Sequence, residues 1–423
     1  MLPPIFRSDT LGFVLKLLSA QYLLPISEGP IPEGAVVIAE GKIVEIGPLS
    51  KIREKYPDAP SEEFNNTVLM PGLVNTDTHL ELLSLEDDGR EPNFIDWFFA
   101  RLEHKQRLTP TERRANLSEG VRHLLQCGTT TVGDVGDYTG ALSHLDDFPI
   151  RMTLFPEILT SAEADVQDRY QASLALVEEI IGKQSPRLTA GIAPYSAYTV
   201  SKNLLKVIGQ QATQIPIKIH ASESFAEMQF FFESTGEIAE RLFPRLGWTN
   251  SLPPPHRKTP IQFLDSIHLL SNRSLLVGCL HLAEGDLQTL VKRQTPVVLT
   301  PRAQKYLKLG ESPIGKLKKA KIKIGLGTNG LGPKQSLSLW EEMRLLAEDL
   351  KPEEILQIAT LGGATVLGQE KEIGSMELGK RADLIAVKIS PKTSRKDLIP
   401  HLIDRTTERE IASVFIDGEK VRI

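Results

Sequence analysis

The sequence contains only two cysteines, Cys127 and Cys279, among 423 residues. They lie far apart and form no Cys-x-x-Cys pair, which argues against a disulfide-stabilised secreted scaffold and favours a reducing cytoplasmic location. The first ten residues lack the basic and then apolar pattern of a secretion signal. No uninterrupted apolar run approaches the roughly 20 residues that a membrane-spanning helix needs, so no membrane association is expected.

The chain also lacks a large excess of charge of either sign. Its 49 basic and 54 acidic residues give a net charge of −5 and are spread along the whole sequence. A balance of this kind gives no reason to expect nucleic acid or an anionic membrane as a partner. With 41% hydrophobic residues, the chain is long enough for one α/β barrel and an accessory domain.

The middle of the chain alternates apolar runs with amphipathic stretches, as in parallel βαβ units. Eight runs rich in Val, Ile and Leu favour a closed (β/α)8 TIM barrel over an open sheet. The runs cover residues 68–76, 129–135, 150–154, 188–193, 215–220, 274–279, 296–300 and 322–327. The barrel domain is therefore predicted to extend over residues 66–373.

Both ends of the chain have the pattern of short antiparallel strands. Hairpin signals occur at Glu40-Gly41-Lys42 and at Asp417-Gly418, each between runs of β-branched residues. Chain termini often lie close together in a domain. We therefore predict one small β-sandwich-like domain that residues 13–65 and 374–423 build together.

Polar residues with metal-binding or acid–base chemistry follow several of the apolar runs. Asp77 and His79 follow the first run, His220 and Glu223 the fifth, and Asn329 the eighth. Barrel enzymes carry their chemistry at the carboxyl ends of the strands. Since residues two apart on a strand point to the same face, Asp77 and His79 could hold one ion together.

The segment 70–81, Met-Pro-Gly-Leu-Val-Asn-Thr-Asp-Thr-His-Leu-Glu, resembles the first barrel strand of the amidohydrolase superfamily. The resemblance extends from the hairpin at residues 41–47 to residue 387. It is strongest to the branch of S-adenosylhomocysteine/methylthioadenosine deaminases, aminodeoxyfutalosine deaminases and triazine chlorohydrolases. Residues 93–97, Asn-Phe-Ile-Asp-Trp, and 336–344, Ser-Leu-Ser-Leu-Trp-Glu-Glu-Met-Arg, are most similar to the aminodeoxyfutalosine type.

This resemblance implies a divalent metal held by two histidines of strand one, a histidine of strand five and an aspartate of strand eight. Such a metal makes hydroxide from water near neutral pH. His79 and His220 match two of the implied ligands, and Glu223 matches the glutamate that protonates a substrate ring. Asp77 stands where the other strand-one histidine is expected, and Asn329 stands where the aspartate is expected.

Further departures affect the orienting and substrate-contacting positions. Gly278 occupies the place of a strand-six histidine that orients the nucleophile, and Tyr195 replaces a substrate-contacting histidine. The resemblance also assigns substrate contacts to Trp97 and Arg302. An asparagine amide has no useful basicity, so Asn329 cannot accept a proton from water as an aspartate can.

Two hypotheses remain open from the sequence, beside a purely structural or scaffolding role. In the first, the protein has lost hydrolytic deaminase activity and binds a nucleoside-like small molecule or a partner protein. In the second, it is a diverged hydrolase of a C–N bond, of the cyclic amidine deaminase type. It would then hold one divalent ion, zinc or iron, on Asp77, His79 and His220, with Glu223 or Asp77 as general base.

The first hypothesis predicts that a metal binds weakly or not at all. It also predicts that the double substitution Asp77→His and Asn329→Asp would raise metal occupancy sharply. A homodimer is the default expectation for a barrel of this type.

Overall fold

The computed structural model describes residues 15–86, 93–159, 166–211, 214–330 and 336–422. The N-terminal elements are β1 (Lys16–Leu23), β2 (Ile31–Ala39), β3 (Lys42–Pro48), α1 (Leu49–Lys55) and β4 (Ser61–Pro71). Strands β2 and β3 form the predicted hairpin, and β1 pairs antiparallel with β2 and parallel with β4.

The barrel strands follow in the expected order. They are β5 (Leu73–Thr78), β6 (Thr129–Gly136), β7 (Arg151–Ile158), β8 (Leu188–Ala190), β9 (Ala193–Pro194), β10 (Ile217–Ala221), β11 (Ser274–Gly278), β12 (Val297–Leu299) and β13 (Ile324–Leu326). Neighbouring strands pair in the order β10-β11-β12-β13-β5-β6-β7-β8, and a parallel bridge between Ile192 and Ile217 joins the two ends. The predicted (β/α)8 barrel is confirmed.

The first predicted barrel run, residues 68–76, is wrong as a single strand. It divides at Gly72, where the backbone amide donates to Asp383 on one side and the next amide, that of Leu73, donates to Gly128 on the other. A Cβ on Gly72 would lie 2.1 Å from side-chain atoms of Thr130, so only glycine lets the chain pass between the two sheets here. Strand β4 thus belongs to the terminal sheet, and the domain limit at residues 65/66 stays a prediction.

Helices surround the barrel and connect its strands. They are α2 (Phe94–Arg107), α3 (Pro110–Gln126), α4 (Val166–Gly182), α5 (Lys202–Gln211), α6 (Phe225–Glu233), α7 (Phe243–Arg245), α8 (Pro260–Ser266), α9 (Asp286–Arg293), α10 (Pro301–Tyr306), α11 (Ile314–Lys319), α12 (Leu339–Arg344), α13 (Pro352–Gln357) and α14 (Gly363–Val366). Asn93 caps α2, since its side chain accepts from the amide of Ile95. Among the described helices, none has the length and apolar character needed to cross a membrane.

The remaining elements complete the second domain. They are β14 (Leu384–Lys388), α15 (Leu398–Arg405), β15 (Ile411–Ile416) and β16 (Glu419–Val421). The seven-stranded sheet has the order β16-β15-β14-β4-β1-β2-β3 and encloses a core that includes Leu18, Val36 and Phe415. Two backbone hydrogen bonds join the N-terminal and C-terminal parts of this domain. The amide of Ile43 donates to the carbonyl of Lys380, and the amide of Ala382 donates to the carbonyl of Gly41. Both termini therefore build one folded sheet, as predicted.

Candidate active site at the barrel mouth

Asp77 and His79 lie at the carboxyl end of β5 and are fully buried. The Asp134 carboxylate of β6 accepts from the Thr78 hydroxyl and the Leu80 amide, both at 2.8 Å, which fixes the backbone on either side of His79. Neither ring nitrogen of His79 has a hydrogen-bond partner among the protein atoms. Burial, reinforced by the Arg101 cation, lowers the pKa of His79 well below its ordinary value, so its imidazole is neutral.

His220 and Glu223 form the second part of the site, at the end of β10. Their Nδ1 and Oε2 atoms lie 3.1 Å apart. Although burial opposes a charge on the ring, the Glu223 carboxylate raises the pKa of His220. The backbone amide of Glu223 donates to Glu227, a carboxyl group whose pKa burial raises to about 8. The His79 and His220 rings are 6.2 Å apart, so the two predicted histidines do converge.

Asn329 also reaches this end of the barrel, in a left-handed conformation with φ of 55°. Its backbone amide donates to the backbone carbonyl of Asp77 at 3.0 Å, which places the two residues side by side. Its side-chain oxygen accepts from the amide of Gly330. The side chain is therefore used to hold its own loop, and it offers no carboxylate to the site.

Gly278 ends β11 opposite Glu223. Its φ is +103°, and a Cβ there would lie 3.1 Å from both Cβ and Cγ of Glu223. The glutamate thus fills the space that a larger side chain at residue 278 would need. The resemblance implies a histidine at residue 278, whereas the structure has a backbone conformation there that favours glycine.

Lys218 is a buried residue next to Asp77 that the sequence patterns did not identify. It lies on β10 two residues before His220, so the period of two along a strand could have placed it on the same inward face. Its Nζ donates to Asp77 Oδ1 at 3.3 Å, to the Thr76 carbonyl at 2.8 Å and to the Gly133 carbonyl at 3.0 Å. Burial lowers the pKa of Lys218 and raises that of Asp77, and their mutual attraction opposes both shifts.

Helix α2 packs an aromatic and a charged side chain against Tyr195, whose ring contacts His220. Tyr195, from the loop after β9, packs its ring 4.9 Å from that of His220 and 5.2 Å from that of Phe98. Arg101, also missed, lies one turn after Trp97 and places its guanidinium 4.5 Å from the Tyr195 ring. The hydroxyl of Tyr195 and the indole nitrogen of Trp97 are buried without a partner among protein atoms.

Arg101 belongs to a buried ion network with Glu157 and Lys105. Although burial opposes ionisation, the two cations hold the pKa of Glu157 well below its usual range. Arg302, in contrast, bonds to the Ser336 carbonyl and pairs with Glu341 at 3.0 Å. Within the described part of the chain, none of its recorded bonds joins it to the histidines, so its substrate contact stays a prediction.

The residues at the barrel mouth do not fit the divalent metal that the resemblance implies. Asp77 Oδ2 and both nitrogens of His79 lack partners, but the other Asp77 oxygen already pairs with an ammonium group. In the described ranges, only the distant group His123, Cys127 and Glu408 has three Asp, Glu, His or Cys ligand atoms within 4.8 Å of one another. No step of the chemistry can therefore be assigned to a metal held by Asp77, His79 and His220.

Comparison with known proteins agrees with the barrel fold. The model of the amidohydrolase family matches residues 68–421. The chain belongs to the amidohydrolase family. A model of the bacterial imidazolonepropionase-like composite domain also matches residues 34–59, a segment that contains most of β2 and all of β3 and α1.

Relatives within the amidohydrolase family include named deaminases. The 5-methylthioadenosine/S-adenosylhomocysteine deaminase of Thermodesulfovibrio yellowstonii is 26% identical, over 95% of this chain and 92% of its own. The aminodeoxyfutalosine deaminase of Nitratiruptor is also 26% identical, over 92% and 96%. The structure of Helicobacter pylori aminofutalosine deaminase has a TM-score of 0.85 at 22% identity, covering 96% of this chain and all of that one. A zinc-bound adenosine deaminase from Xanthomonas campestris has a TM-score of 0.77 at 24% identity, over 96% and 92%.

Proposed function

We propose that this amidohydrolase-family protein binds a nucleoside-like small molecule at the barrel mouth and does not perform the standard metal-dependent deamination. The single observation that carries the binding role is a group of buried polar atoms without protein partners. It comprises Asp77 Oδ2, both nitrogens of His79 and the Tyr195 hydroxyl. Since buried polar groups are normally hydrogen-bonded, these atoms are suited to a ligand that carries both donors and acceptors.

The surroundings of these atoms support a planar ligand. The Tyr195 ring lies beside His220 and packs against Phe98, and flat aromatic faces favour stacking of a heterocycle. The named relatives act on adenosine-like compounds, which makes a nucleoside-like molecule the first choice. His220 and Glu223 would share a proton next to that ligand.

The proposed loss of deamination rests on two residues at strand ends, Asn329 and Gly278, that lack the side chains needed for it. Asn329 brings neither a negative charge nor a proton acceptor, and Gly278 brings no side chain. A weak or absent metal, a cytoplasmic location and a homodimeric assembly remain parts of the proposal.

A diverged hydrolase is the second candidate, because the unpartnered Asp77 oxygen and His79 nitrogens are also possible metal donors. This candidate requires Asp77 to exchange the Lys218 ammonium for a divalent ion that His79 and His220 would also hold, with Glu223 as general acid–base for a C–N bond.

Binding and turnover of 5′-methylthioadenosine, S-adenosylhomocysteine and adenosine separate the two candidates. We expect calorimetry to detect binding of at least one compound, and ultraviolet absorbance to show no deamination with zinc added. Tyr195→Phe should weaken binding, whereas Tyr170→Phe, a buried tyrosine of α4, should not. Turnover at an ordinary rate, on the order of 1 per second, would contradict the proposal.

A further inference from the structure

We propose that Lys218 is a built-in cation that takes the place of the barrel metal, and that Asp77 is its counter-ion rather than a metal ligand. This inference rests on the proposed function, because it gives a structural cause for the absence of metal-dependent chemistry. It also explains the departure at residue 77, where the resemblance implies a histidine.

The ammonium group of Lys218 has a complete set of acceptors. The Thr76 carbonyl, the Gly133 carbonyl and Asp77 Oδ1 surround Nζ at 2.8, 3.0 and 3.3 Å. Three oxygen acceptors match the three donors of an ammonium. The group also lies 4.4 Å from the centre of the Phe155 ring, a favourable position for a cation.

Lys218 extends across the inside of the barrel. Its own strand is β10, whereas its acceptors belong to β5 and β6. Gly133 of β6 leaves the necessary room, because a Cβ there would lie 2.8 Å from the Thr76 carbonyl and 3.3 Å from Nζ. The lysine is 1% exposed and Asp77 is fully buried. The neighbouring strands are thus shaped around this ion pair.

Charge balance explains why Lys218 and Asp77 occur together. A buried ammonium needs a counter-ion, because an isolated charge in the interior is very costly. Asp77 supplies that charge, and the pair is neutral. A histidine at residue 77 would leave Lys218 uncompensated, and a divalent cation beside Asp77 would meet the repulsion of the ammonium in a medium that screens it poorly.

Asp77→His alone should therefore not create a metal site. The double variant Asp77→His, Lys218→Met should create one, because it supplies three histidines and removes the competing cation. We expect zinc to bind the double variant roughly a hundredfold or more tightly than the single variant. Asp77→His with Lys183→Met, which removes a lysine paired with Asp146 on the surface, should bind zinc no better than Asp77→His.

Zinc titration by calorimetry tests this, with circular dichroism to confirm folding. All proteins would carry His123→Gln, which removes a ligand of the distant group His123, Cys127 and Glu408. If Asp77→His does not fold, the same comparison is made between Lys218→Met and the parent. The inference is supported if zinc binds to the proteins that carry Lys218→Met and not to those that retain Lys218.

Three results would overturn it, and they can be distinguished. Equal zinc affinity of Asp77→His with and without Lys218→Met, or a folded double variant that binds no zinc, would refute the role of Lys218 and leave the proposed function standing. Tight zinc binding by the parent that is lost on His79→Asn would refute the proposed function itself.

Discussion

Replacing Asp77 by asparagine is expected to lower the free energy of unfolding by about 3–5 kcal/mol, the usual cost of removing one partner of a buried ion pair. The Lys218 ammonium would keep its two carbonyl acceptors but lose Asp77, the one counter-charge that the described residues place within hydrogen-bond distance. Lys218→Met should cost a similar amount, because it leaves the Asp77 carboxylate buried without a cation. Urea denaturation followed by circular dichroism measures both losses.

A double-mutant cycle shows whether the two losses have one cause. Asp77→Asn with Lys218→Met should cost much less than the sum of the single changes, since neither charge then remains unpaired. The exposed pair Arg122 and Glu119 is the control, and its coupling should be at most about 1 kcal/mol. Additive losses at residues 77 and 218 would show that the two side chains do not act as a pair.

Introducing a histidine at residue 278 is expected to destabilise the protein by about 3 kcal/mol or more, from backbone strain and overpacking together. The φ of +103° disfavours any side chain, and the new Cβ would press on Glu223 at 3.1 Å. Gly278→Ala should already show much of the loss, because the strain begins at Cβ. Urea denaturation is again the measurement.

Gly182→His is the matched control for that substitution. Gly182 ends α4, and a Cβ there would meet no atom within 4 Å, so this change should alter stability by less than about 1 kcal/mol. A Gly278→His protein as stable as the unsubstituted chain would show that the strand end can adapt. In that case the missing histidine could be restored, and the geometry would not be what prevents it.

The sequence predicts those features of the barrel and its site that depend on local patterns along the chain. Alternating apolar runs identify the strands, and reading the residue after each run finds His79, His220 and Glu223, which the structure brings together. The same rule fails at residues 68–76, because one continuous apolar run serves two different sheets. The close approach of Gly72 to Thr130 decides the division, and contacts distant in sequence cannot be read from the run itself.

Lys218 and Arg101 show a second limit. A lysine inside an apolar strand predicts a solvent-facing position by default, and only the fold shows that Lys218 meets Asp77, 141 residues away in the chain. Similarly, the helical pattern around Arg101 predicts a surface residue, and only the fold places Glu157 of β7 beside it. Buried charges are identified by their partners, and those partners lie on other strands.

The structure also changes the expected result of restoring metal ligands. From the sequence, Asp77→His with Asn329→Asp should raise metal occupancy. With Lys218 in place, its ammonium group would be left beside the new histidine at residue 77 and would repel a divalent cation there. We therefore expect little gain in zinc until Lys218 is also replaced.

We propose that the barrel mouth of this amidohydrolase-family chain holds no catalytic metal. Elemental analysis of protein carrying His123→Gln, purified without added ions, tests it most directly. The proposal predicts zinc and iron far below one equivalent per chain, with no change on His79→Asn or His220→Asn. Stoichiometric metal that disappears in either histidine variant would contradict it and establish the diverged hydrolase instead.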